Sequence, residues 1–148
     1  MNRYSVFLHH PCFRGHTWNE YAEEGSDTNV SEYYDGVFVL DIESSRVEFL
    51  HVSQFFLENG IVPVNIDSFE EFNRLFSEKL VVQEEKEPYV DQTQMGVVQE
   101  ELKSKGCFVR TVHLDTLAGI KAESIRIKRI GSYDRKYLVS LMDITMIL

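Results

Sequence analysis

Apolar positions along the chain follow two periods, and each predicts its own kind of element. Tyr4-Ser5-Val6-Phe7-Leu8 is rich in aromatic and branched residues and predicts a short first strand. Gly36 to Ile42 predicts a second strand, and Ser44-Ser45 a turn into the alternating run Arg46-Val47-Glu48-Phe49-Leu50, together a β-hairpin. Val52, Phe55 and Phe56 then sit at helical spacing in a short piece that Asn59-Gly60 ends. Ile61 to Ile66 reads as a strand that Pro63 confines to an edge or a bulge.

The best helix pattern follows. Asp67 or Ser68 caps it, with Glu70 or Glu71 three residues on, and Phe69, Phe72, Phe76 and Leu80, joined by Leu75, form one apolar stripe. Gln83 to Asp91 reads as an acidic linker interrupted by Pro88. Gln92 to Lys105 predicts a second helix, with Met95, Val98 and Leu102 on one face and Gly106 as its stop. Cys107 to His113 and Ser124 to Ile130 predict strands, the latter with Ile125 and Ile127 facing one way and Arg126 and Lys128 the other. Gly131-Ser132-Tyr133-Asp134 supplies a turn into Tyr137–Leu148, which is apolar on both faces; Val139, Ile144, Thr145 and Ile147 favour a strand there.

Strands and helices do not alternate strictly, so the pattern predicts an α+β fold. The expectation is a single domain over 1–148, with a largely antiparallel or mixed β-sheet of about five to seven strands, two main helices and one short helix. The stretch 10–35 has no period and forms a long irregular acidic segment, a kind of segment that is either functional or disordered.

Composition narrows the classes. At 148 residues with 43% apolar and 26% charged positions, the chain can build a core and is neither low-complexity nor collagen-like. The net charge of −9 argues against a general nucleic-acid binder. That charge is uneven: 20 acidic against 6 basic residues up to Glu101, then 4 against 9. No apolar stretch is long enough for a membrane helix, and the N-terminus lacks the apolar run of a signal peptide. With only Cys12 and Cys107, a reducing cytoplasm is the expected compartment.

Candidate chemistry is sparse. His9, Cys12 and His16 are spaced closely enough to offer three metal ligands, and Cys107 or His113 could complete a tetrahedral site. The same cluster would serve a small metal-assisted hydrolase or nuclease; alternatively Cys12 acts as a nucleophile with His51 or His113 as base. No nucleophile elbow or phosphate-binding loop accompanies them. Asp27 to Glu32 echoes a calcium loop but lacks its glycine and its final glutamate. The basic residues Lys121, Arg126, Lys128, Arg129, Arg135 and Lys136 are expected to blunt an exposed strand, since few aromatics accompany them.

The heaviest signal is the segment from Trp18 to Asp35. It interleaves Glu20, Glu23, Glu24, Asp27, Glu32 and Asp35 with Trp18, Tyr21, Tyr33 and Tyr34, without a lysine or arginine. Aromatic anchors ringed by carboxylates suit a surface that docks a basic protein. The sequence therefore predicts an acidic, non-enzymatic inhibitor or immunity-type protein acting on a basic toxin or nuclease, with no cofactor. Self-association through Tyr137–Leu148 is a further expectation.

Overall fold

The computed structural model describes residues 34–132 and 134–145. Strand β1 (Tyr34–Asp41) turns tightly into β2 (Val47–Val52). A short helix α1 (Gln54–Glu58), a 3-10 turn (Pro63–Asn65), and helices α2 (Phe69–Lys79), α3 (Gln83–Gln92) and α4 (Met95–Lys105) come next. The chain closes with β3 (Cys107–Thr116), β4 (Gly119–Arg129) and β5 (Lys136–Asp143). The strands form one sheet in the order β2-β1-β5-β4-β3, with every neighbouring pair antiparallel. This is the α+β class expected, with five strands among the described residues.

Local chemistry accounts for the elements. Ser68 caps α2 by accepting the amide of Glu71, while the Glu71 carboxylate accepts the amide of Asp67 at 2.8 Å, a reciprocal cap. Phe69, Phe72 and Phe76 on that helix are buried, and Phe72 and Phe76 stack with ring centroids 5.5 Å apart. Phe38 of β1 meets Phe72 at 5.0 Å and Phe49 of β2 at 4.8 Å, so a phenyl cluster joins sheet to helix. Ile125, Ile127, Val139 and Leu141 extend the same apolar floor across β4 and β5. Gly36 lets α1 close on β1: a Cβ there would stand 3.1 Å from the Phe56 ring.

Three expectations fail. Gln83–Asp91 is not a linker but most of α3, with Pro88 inside it. One proline forfeits one backbone bond, and α3 is held instead by buried Tyr89 and by Lys86, whose ammonium bonds the Ser77 and Glu78 carbonyls at the end of α2. The second predicted helix accordingly begins at Met95, not Gln92. Ile61–Ile66 is not a strand: Pro63 opens a 3-10 turn there. The Tyr4–Leu8 strand lies outside the described residues.

The terminal segment is a strand as far as Asp143. β5 runs between β1 and β4 as the central strand, and Leu138 to Met142 are buried on both faces. Leu138 to Met142 of the expected self-association surface are therefore used inside the sheet of one chain, and residues 146–148 lie outside the described residues. β4 is likewise an interior strand, so its basic residues do not blunt an edge. Lys121 and Arg126 are largely buried there, and Arg135 and Lys136 pair with Asp41.

Candidate functional site

One end of the sheet carries charge where the core pattern calls for hydrocarbon. Glu123 shares the face of β4 with Ile125 and Ile127, and strand pairing sets it beside Asp143 of β5 and Val112 of β3. Asp35 arrives from the start of β1, where the pairing with β5 slips by one residue. Glu123 is 0% exposed and Asp35 6%.

The cluster is unevenly satisfied. Lys121 extends from β4 with its ammonium 3.1 Å from Asp35 Oδ2 and 3.5 Å from Asp143 Oδ2, over the Phe55 ring of α1 at 3.8 Å. Burial alone would lower the lysine's pKa, but Asp35, Glu123 and Asp143 outweigh it and hold it above its ordinary value. Asp143 Oδ1 accepts the amide of Thr145. Asp35 Oδ1 accepts the hydroxyl of Ser53 at 2.8 Å, and its carbonyl accepts the Ser53 amide. Asp35 Oδ2 has only the ion pair, without hydrogen-bond geometry, and neither oxygen of Glu123 finds a donor. Burial first, and the Asp35 carboxyl second, push the pKa of Glu123 well above the ordinary carboxylate range.

Two elements connect to this cluster. Ser53 is the N-cap of α1 and accepts the amide of Phe56, so Asp35, Ser53 and α1 form one chain of hydrogen bonds. Tyr89 of α3 is buried, and burial above all raises the pKa of its hydroxyl well above the ordinary value; it donates to Asn73 Oδ1 at 2.6 Å.

The residues singled out in the sequence are placed differently. Tyr34 and Asp35, the last two of the presumed docking surface, are buried in β1 and cannot face a partner. Trp18, Glu20, Tyr21, Glu23, Glu24, Asp27, Glu32 and Tyr33 lie outside the described residues, as do His9, Cys12 and His16. Cys107 is buried and disulfide-bonded, so it offers no free thiolate to a metal and departs from the expectation of reduced cysteines. His113 donates its backbone amide and turns ring Nδ1 to the Glu85 carboxylate, each at 2.8 Å. His51 Nε2 lies 2.9 Å from the Tyr34 carbonyl. Among the described residues no group of three or more His, Cys, Asp or Glu is arranged to hold a metal ion.

No protein-family model and no curated protein matches the chain. Solved structures do match the chain, among them these two. An RNA-binding light-oxygen-voltage receptor matches 75% of this chain at 16% identity and a TM-score of 0.49, and the chain spans 28% of that receptor's length. A PAS domain from a two-component sensor histidine kinase matches 84% of this chain and 98% of its own length, at 12% identity and a TM-score of 0.39. With Tyr34 and Asp35 buried and no metal-holding group among the described residues, the chain is not read as an inhibitor of a basic toxin or as a metal-assisted hydrolase. The expectation against nucleic acid rests on net charge alone. No helix among the described residues is long and apolar enough to cross a membrane.

Proposed function

We propose that this domain is a sensory or regulatory module in which a change at the polar end of the sheet is passed to helix α1. The observation that carries the reading is Glu123: a fully buried carboxyl with no donor for either oxygen, set beside the Asp35 that holds the cap of α1. Such a group detracts from stability, because a buried polar atom without a partner costs about 1–3 kcal/mol and apolar residues would fill the site at less cost. Enclosure speaks for regulation over catalysis, since no substrate reaches Glu123 in this conformation. Response requires an element with two arrangements, and α1 suits that role. It has five residues, too few to persist alone, and it is tied down by Ser53, Phe56 and the Lys121–Phe55 contact.

Amide hydrogen exchange on the full chain tests the coupling. Lys121→Met keeps the stem of the side chain and removes its charge. Exchange should accelerate in α1 and the first residues of β1 and stay unchanged in α2 and α4. Uniform acceleration, or none in α1, would overturn the reading.

A further inference from the structure

We propose that Asp35 and Glu123 share a single proton, and that loss of this proton is the input that releases α1. The inference rests on the coupling between the cluster and α1 put forward above, and it names the signal.

Carboxyls outnumber ammonium groups at this end of the sheet. Asp35, Glu123 and Asp143 bring three carboxyls and Lys121 one ammonium, which already serves Asp35 and Asp143. Among the described residues no other charged group acts on Glu123 from the surrounding elements. Asp35 comes from β1, Asp143 from β5 and Lys121 from β4 itself. From α3 comes the neutral Tyr89 hydroxyl, from β3 the apolar Val112, and α1 contributes Phe55 and the Ser53 cap. Asp143 keeps about a third of its side chain in water, so the enclosed excess is that of Asp35 and Glu123 over one shared ammonium; ionising both would leave an uncompensated negative charge out of water, which a low-dielectric interior does not sustain.

The hydrogen-bonding geometry calls for the same proton independently of the charge. A carboxylate only accepts hydrogen bonds, so two ionised carboxylates side by side have nothing to exchange. Asp35 Oδ2 and both oxygens of Glu123 are buried acceptors without donors. One proton placed between them turns an acceptor into a donor and supplies the missing bond. That proton then belongs to both carboxyls at once and bridges them.

The consequence for α1 follows from the connections already described. With the proton in place, the Asp35 carboxyl takes the Lys121 ion pair on one oxygen and the Ser53 hydroxyl on the other. When the proton leaves, Glu123 becomes a second anion competing for Lys121 from the same strand. Drawing the ammonium inward removes it from Phe55, and repulsion moves Asp35 away from Glu123; both contacts that seat α1 weaken together. The opening is therefore expected as pH rises, not as it falls.

The test is a carbon-13 NMR titration of the side-chain carboxyls in the full wild-type chain, with amide exchange of α1 followed over the same range and corrected for intrinsic rates. One glutamate carboxyl should keep its proton after the others have ionised, and α1 protection should fall by up to about tenfold per pH unit between the ordinary carboxylate range and that late midpoint, then level off. Glu123→Gln carries the neutral form permanently: it should lack that late signal and keep α1 protected at every pH. Should every glutamate carboxyl titrate in the ordinary range, the shared proton is refuted, while coupling between cluster and α1 is still judged by Lys121→Met. A late titration with unchanged α1 protection would instead refute the coupling, and this inference with it. The wild-type readings stand even if the glutamine variant fails to fold.

Discussion

Strand β1 carries an aspartate near each end, and the two are treated in opposite ways. Asp41 closes the strand, and its Oδ1 accepts the turn amides of Glu43 and Ser44 at 3.0 and 3.1 Å. Its Oδ2 meets Arg135 at 2.9 Å and Lys136 at 3.6 Å. The Ser44 amide above all, against desolvation and aided by Arg135 and the Glu43 amide, holds this carboxyl well below its ordinary range. Asp35, at the opening of the strand, shares one lysine with Asp143 and adjoins a glutamate with no donor at all. A carboxylate that organises a turn is met by donors from the chain around it. The Asp35–Glu123 end carries acceptors in excess of donors, which is costly for structure and useful for response.

Damage to the floor that both ends share should have the largest effect. Phe72 touches Phe38, Phe49 and Phe76, and Phe72→Ala should cost about 3–5 kcal/mol in chemical denaturation. That loss should be the same at acid and neutral pH, since no charge is involved. A pH-dependent loss would mean the two ends are not separable from the core. Next comes Lys121→Met, which strands buried carboxylates and should cost about 3 kcal/mol at neutral pH, with part regained on acidification as they protonate. An equal cost at all pH values would assign the lysine to packing alone.

Asp41→Asn sharpens the contrast. A depressed pKa contributes stability above the ordinary value of 3.8 that is lost as pH falls below it. The variant should therefore be less stable than wild type at neutral pH, and the gap should close in acid. A gap that persists in acid would trace to turn geometry instead of charge. Smallest of all, Arg74→Ala removes an exposed pair with Glu78 one helical turn on, and should shift stability by no more than about 0.5 kcal/mol. A larger shift would show that surface charge on α2 matters beyond its pairing.

Much of the fold was legible because its signals are local. Ser68 with Glu71, the phenylalanine stripe of α2, the Asn59-Gly60 stop and the Ser44-Ser45 turn each act within a few residues. α3 was misread because its support is tertiary: Tyr89 in the core and Lys86 on the neighbouring helix offset Pro88 and the run of glutamates. The polar site was missed for a related reason. Asp35, Ser53, Lys121, Glu123 and Asp143 meet only through the register of β1, β4 and β5, which no spacing in one chain encodes. A signal was nevertheless present. Glu123 stands two positions before Ile125 and four before Ile127, so strand alternation puts a carboxylate on the core face once the strand is extended back by one residue. The aromatic and acidic run from Trp18 to Asp35 is the stronger pattern in the sequence, yet the two of its residues that are described, Tyr34 and Asp35, are interior.

The central claim is that Glu123 is buried against the interest of the fold and holds a proton. The direct test is unfolding free energy against pH for wild type and Glu123→Gln. A raised pKa means the native state binds a proton that the unfolded chain releases above its ordinary value of 4.5, so wild-type stability should decline as pH rises from there. The glutamine variant lacks that term. Its advantage should be small near that value and should grow by up to about 1.4 kcal/mol per pH unit until the native carboxyl ionises. An advantage that is constant with pH, or a variant less stable than wild type across the range, would contradict the account.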